Sequence, residues 1–298
     1  MWVQRVPGGG IYGLAFAPDG RTLYVADRSC TFTAWDPVTR TGRPLFRLTG
    51  RDRTGIHGIA PAAGGRYLVV KGYPNVLAWD LVAGAEADRL HPPSPHDAYP
   101  LPGADGRVLY RSEDRRSLFV WEPESGTAGV AFAGPFPDAI RVYDLSPDAR
   151  TVAVVGDFSS VVKLFDVAAR TVAVRFAAGY SFVWDLRFAP DGRTLAVSSG
   201  RQVDLWDVSP PARRRTGPVE IDNRHGPATF AFHPTAPVFA ALNREKVLTL
   251  FSAGTGAPLR SLDFALGRSV TCVCFAPDGL TCAVGGSNKQ FAVFDVDL

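Results

Sequence analysis

The sequence predicts an all-β chain made of seven copies of one four-stranded antiparallel sheet, and three observations predict it. The octet FAPDGRTL stands at residues 16–23 and again, unchanged, at 188–195, a separation of 172 residues, which is four times 43. An aromatic residue, usually followed by an acid, recurs at Trp35-Asp36, Trp79-Asp80, Trp121-Glu122, Phe165-Asp166, Trp206-Asp207, Phe251-Ser252 and Phe294-Asp295, at spacings of 44, 42, 44, 41, 45 and 43. A fixed period of this size running through a whole chain marks a repeat architecture. The third observation is that the residues between the markers form short runs of Val, Leu and Phe without helical periodicity, a pattern that favours strands.

Each strand of the unit has its own local cause. The first hairpin is set by PDG at Pro18, Pro190 and Pro277, because glycine accepts the positive φ that a tight turn demands. Weaker forms hold the same place: AGG at Ala63, ADG at Ala104, PDA at Pro147 and PTA at Pro234. The third strand is read from apolar residues three and one positions before the aromatic, as in NVLAWD, SLFVWE, VVKLFD, QVDLWD and QFAVFD. A connector such as VTRTGRP then leads to a fourth short strand, for example VAVRF ending at Phe176.

Four antiparallel strands per 41–45 residues suit a propeller blade, whereas a solenoid would need a polar capping repeat at each end. The last unit stops at Leu298 directly after its third strand, and Trp2 to Val6 reads as the missing fourth. The expected fold is therefore a seven-bladed β-propeller whose N-terminal strand completes the last blade and removes an exposed seam. The expected blades of this single domain, 1–298, are approximately 7–50, 51–92, 93–134, 135–178, 179–222, 223–264, and 265–298 plus 2–6.

These markers resemble the WD-repeat (WD40-like) seven-bladed propeller family, with degenerate repeats. The resemblance implies a hydrogen-bonded set linking a histidine, a serine or threonine, a turn aspartate and the tryptophan. The aspartate position, six before the aromatic, instead holds Ser29, Tyr73, Arg115, Ser159, Gly200, Glu245 and Asn288, so apolar packing is expected to supply most of the blade rigidity. His96 and His225 stand where the family has its structural histidine. Blade three reads Tyr99-Pro100-Leu101-Pro102 in its first strand; two prolines two apart leave their missing N–H groups on one side, the side a first strand turns to the channel. Pro61 is placed like Pro102.

Composition narrows the function classes. The 298 residues are 46% hydrophobic, enough for a large core. Thirty-two basic residues, only four of them lysine, against 29 acids leave a net charge of +3, which argues against nucleic acid as a partner. The clusters Arg51-Asp52-Arg53 and Arg213-Arg214-Arg215 read as solvated loop charges. No stretch of about 18 apolar residues and no secretory leader is visible, so no membrane association and a cytoplasmic location are expected. Cys30, Cys272, Cys274 and Cys282 lack metal-type spacing and read as buried reduced thiols.

No nucleotide, metal or hydrolase signature survives inspection. GGGIYG at 8–13 satisfies the dinucleotide pattern, but a strand follows it where that motif needs a helix, so the glycines read as a loop. His91 and His96 flank a proline-rich loop and His57 and His233 are isolated, so no metal or cofactor is expected. Asp144 and Asp185, in the first strands of blades four and five, are the best candidates for catalytic acids and otherwise read as channel-lining or solvated; no catalytic residue is assigned.

In the resembling family the first-strand residue four before the phenylalanine commonly meets partners at the channel mouth. That register selects Tyr12, His57, Ala98, Arg141, Trp184, Ala228 and Thr271, and Phe158 and Phe182 lie beside it in blades four and five. Aromatics and arginine dominate interface energetics. The expected site is a partner-binding rim of Tyr12, His57, Arg141, Phe158, Phe182 and Trp184. The expected function is a monomeric, non-catalytic scaffold for a protein or peptide. The alternative is a cytosolic propeller enzyme, lactonase-like or another small-molecule hydrolase, with a metal held by acids and carbonyls at the channel mouth.

Overall fold

The structure is a computed structural model. It describes every residue except 50–54, 74, 91–97, 101–106, 158, 180–181, 200, 211, 215, 217, 222–229, 243–246, 263–269 and 298, and of 57, 73, 98–100 and 214 the backbone alone. Seven antiparallel sheets follow one another along the chain, six of four strands and one of five. The fold is the seven-bladed β-propeller, and blade one shows the pattern: Ile11–Phe16, Leu23–Asp27, Thr31–Asp36 and Thr41–Arg47, each paired to the next. Blade seven takes its fourth strand from the N-terminus. Trp2 lies opposite Val293 and Arg5 opposite Gln290, and the Val6 amide donates to the Lys289 carbonyl at 2.9 Å.

The PDG turns fold as their residues dictate. In blades one, five and seven the glycine amide returns to the alanine before the proline, Gly20 to Ala17 at 2.9 Å, Gly192 to Ala189 at 3.0 Å and Gly279 to Ala276 at 2.9 Å. All three glycines have positive φ. The turn aspartate closes the hairpin; Asp191 Oδ1 accepts from the amides of Arg193 and Thr194. Blade four uses serine at the alanine position, where Ser146 donates to Asp148 and accepts the Thr151 amide across the hairpin, and blade three has the same arrangement one turn later, between its second and third strands, with Ser112, Asp114 and the Ser117 amide.

The residues fall into two compact units, Met1–Arg111 with Phe119–Val130 and Phe264–Leu298, and Ser112–Leu118 with Ala131–Asp263. In both, recurrent third-strand aromatics meet a side chain from the fourth strand of the preceding blade. In the first unit Phe46 stacks on Trp79 with centroids 3.8 Å apart, Trp2 packs near Trp35 and Phe291, and Asp88 accepts a 2.7 Å hydrogen bond from Trp121 Nε1. In the second unit Phe176 stacks on Trp206 at 4.2 Å, and Val219 shares a core cluster with Phe251. These marker residues thus join neighbouring blades, by ring stacking and apolar contact at Trp79, Trp206 and Phe251 and by a hydrogen bond at Trp121.

Three details differ from the sequence expectation. The turn before the third strand of blade one is held not from position 29 but by Asp27, whose Oδ1 accepts from the amides of Ser29 and Thr31. The fourth strand of blade five is split into Arg213–Arg214 and Val219–Glu220, which pair with opposite ends of Gln202–Asp207. Pro218 has no N–H to offer the ladder, and Thr216 bridges the gap by binding both backbone groups of Leu205. Arg213 and Arg214 accordingly sit in a strand rather than a loop; Arg51, Asp52 and Arg53 lie outside the described residues. The glycine loop behaves as expected: Ile11 opens a strand, and a β-carbon at Gly10 would fall 2.7 Å from Ser287 Cα.

Candidate functional site

The register picked from the sequence coincides with a backbone irregularity. In the first strands of blades one, two, four and seven the pairing with the second strand slips between Ile11 and Gly13, Ile56 and Gly58, Ile140 and Val142, and Val270 and Cys272. The residue at each slip is Tyr12, His57, Arg141 or Thr271. A β-bulge places two residues opposite one and re-aims the extra side chain, and such bulges gather beside functional sites. Nothing in the sequence period reveals them, because the bulge is a property of the pairing.

In the second unit the bulge brings three of the expected residues together. Val183 is fully buried and Asp185 is 3% exposed, while Trp184 between them is 52% exposed. Strand alternation therefore anchors the segment through Val183 and Asp185 and turns the indole outward, with the Trp184 amide held by the Ser198 carbonyl at 2.7 Å. Phe182 meets Trp184 edge to face, centroids 5.3 Å apart at 69°. The Arg141 guanidinium lies on the Phe182 ring and 5.6 Å from Trp184. Burial lowers the guanidinium's proton affinity and the charge of Asp157 opposes that shift. A cation sandwiched against aromatic rings is rigid and amphipathic, the composition of an interface anchor.

The other rim residues are placed differently. Tyr12, in the first unit, packs against the core cluster of blades one and two. His57 occupies its bulge, but its side chain lies outside the described residues, as do Phe158, Ala228, His91, His96, His225 and the side chain of Ala98. Thr271 turns its hydroxyl to the carbonyls of Ile11 and Gly285 and so ties blade seven to blade one.

Of the two acids, Asp185 is buried rather than solvated and Asp144 is partly exposed. Asp144 Oδ2 accepts from the Phe188 amide at 2.6 Å, joining blade four to blade five. Asp185 accepts from the Leu186 amide and pairs with Arg187 Nε at 3.3 Å. Burial pushes the Asp185 carboxyl up to about 6, with Arg187 opposing the rise and the Asp144 charge adding to it. Cys30, Cys272 and Cys282 are buried. Burial raises the Cys272 thiol to about 12 and the thiols of Cys274 and Cys282 well up as well, so these three are protonated near neutrality. Among the described residues no group of three His, Cys, Asp or Glu side chains is arranged to hold a metal, and no helix is long and apolar enough to cross a membrane.

Comparison with known proteins agrees with the fold. Residues 173–207 and 256–295 match the family model described as WD domain, G-beta repeat. Each match starts at a fourth strand and runs to the third strand of the next blade, the same phase in which the N-terminal strand completes blade seven. The crystal structure of the Myceliophteria thermophila Cps50 (Swd1) beta-propeller domain superposes with a TM-score of 0.78 over 99% of both chains at 16% identity. No curated protein matches the chain. The chain is a seven-bladed β-propeller in which these two segments are similar to the WD repeat, a repeat typical of protein-interaction scaffolds.

Proposed function

We propose that this propeller is a non-catalytic platform that captures a protein or peptide partner through Arg141, Phe182 and Trp184, acting as a cytoplasmic monomer. The observation that carries the reading is the outward Trp184 indole, 52% exposed yet braced by Phe182 and by a backbone bond to Ser198. A large exposed aromatic held in one orientation loses little entropy on binding, so more of its contact energy appears as affinity. The contacts of Asp144 and Asp185, which bind backbone amides and Arg187, support a structural role for both acids.

Affinity capture from the native cell, with Trp184→Ala and Arg141→Ala beside the wild type, tests this. Each variant should reduce partner recovery by about tenfold or more, since interface hot spots are worth about 2 kcal/mol or more. Both should keep the wild-type unfolding midpoint. Undiminished capture by both variants would overturn the proposal.

A further inference from the structure

At the other end of the strand that follows Trp184, three of the first hairpin turns touch the turn of the preceding blade in the same way. A β-carbon at Gly20 would lie 3.7 Å from Pro277, one at Gly65 3.0 Å from Pro18, and one at Gly192 3.8 Å from Pro147. In each case the turn glycine of one blade rests on the turn proline of the blade before. Blade six writes His233-Pro234-Thr235-Ala236 instead. Here the His233 ring takes over the turn, its Nδ1 accepting from the amides of Thr235 at 3.2 Å and Ala236 at 2.9 Å, while Val238 N bonds to the Ala236 carbonyl at 2.7 Å. A cavity of about 290 Å³ lies between the turns of blades five and six, with Pro190 on one side and the His233 turn on the other.

Its walls include Pro190, Pro234 and Pro237, and Phe232, Ala189 and Ala253 contribute apolar surface. Small-molecule clefts span roughly 300–1,000 Å³, so this volume suits one large side chain better than a cofactor. Proline walls have a fixed φ, and an aromatic ring fills such a site at little rotamer cost. Asp191 is the single formally charged residue of the lining. It repels an acidic segment and favours a basic one.

We propose that this cavity is a second docking site, one that takes an aromatic side chain flanked by basic residues from a partner peptide. It is independent of the Trp184 patch and survives if that reading fails. The test is amide-resolved NMR titration of the full chain with Ac-Lys-Trp-Lys-NH2 and Ac-Glu-Trp-Glu-NH2. The lysine peptide should shift the amides of Thr235, Ala236 and Gly254 and bind about threefold or more tighter than the glutamate peptide, the preference shrinking with salt. Ala253→Leu, which fills the cavity, should weaken binding about tenfold. Ala236→Phe, at a partly exposed turn position that tolerates size, should do the same if the leucine variant fails to fold. Trp184→Ala should leave binding unchanged. Shifts confined to the Trp184 region, equal affinity for the two peptides, unaltered binding by the filled variants, or no shift at millimolar peptide would each overturn the proposal.

Discussion

Asp185→Asn isolates the consequence of burying a carboxyl beside the Trp184 segment. The acid titrates at about 6 in the folded chain, raised first by burial, whereas an unfolded aspartate titrates near about 3.9. Between those values the folded chain holds a proton that the unfolded chain has released. Folding stability therefore falls as pH rises through the window and levels off above about 6. Two units at about 1.4 kcal/mol each put the loss near 3 kcal/mol. Asparagine keeps the shape and an acceptor for the Leu186 amide but cannot ionise. The folded value of about 6 already includes the Arg187 ion pair, so its loss in the variant is part of the same difference. The variant should thus be about 3 kcal/mol more stable than wild type at pH 7 and level with it at pH 4, where the wild-type acid is itself neutral. Urea unfolding of both proteins across that range measures it. Parallel pH profiles would refute the reasoning, because they would mean that Asp185 ionises as readily in the folded chain as in the unfolded one.

Two further perturbations probe the architecture. Trp2→Ala removes the N-terminal ring that meets Phe291 at 5.3 Å and Trp35 at 6.4 Å; since Trp2 is only half-buried, chemical denaturation should show a loss of about 2 kcal/mol, and an unchanged midpoint would mean the strand adds no latch. Ala149 holds the blade-four turn at φ 58°, where a β-carbon is unfavourable by about 1–2 kcal/mol. Ala149→Gly relieves that at an unfolded-state entropy cost of about 0.4–1 kcal/mol, so a small stabilisation is expected in the same assay and a loss would count against the turn assignment.

Much of the fold was legible because its causes are local. Pro18-Asp19-Gly20 favours a tight turn, and the apolar pattern before each Trp or Phe marks the third strand of a unit. Trp2 to Val6 could be assigned to the last blade because the unit ending at Leu298 lacked a strand. The site was legible only as a register. That Tyr12, His57, Arg141 and Thr271 sit on bulges depends on how the first and second strands slip against each other, and no single strand carries that information.

Sequence by itself determined the number of blades and the phase of the repeat, since both follow from spacing and turn chemistry within some forty residues. Only the tertiary structure decided that Arg141 lies on Phe182, that Asp144 and Asp185 serve neighbouring backbone and Arg187, and that the His233 turn leaves a space against Pro190. Those contacts join different blades or the two sides of one strand pair. Their geometry is set by how twisted sheets pack together, a property of the assembled chain that a repeating pattern of letters does not encode.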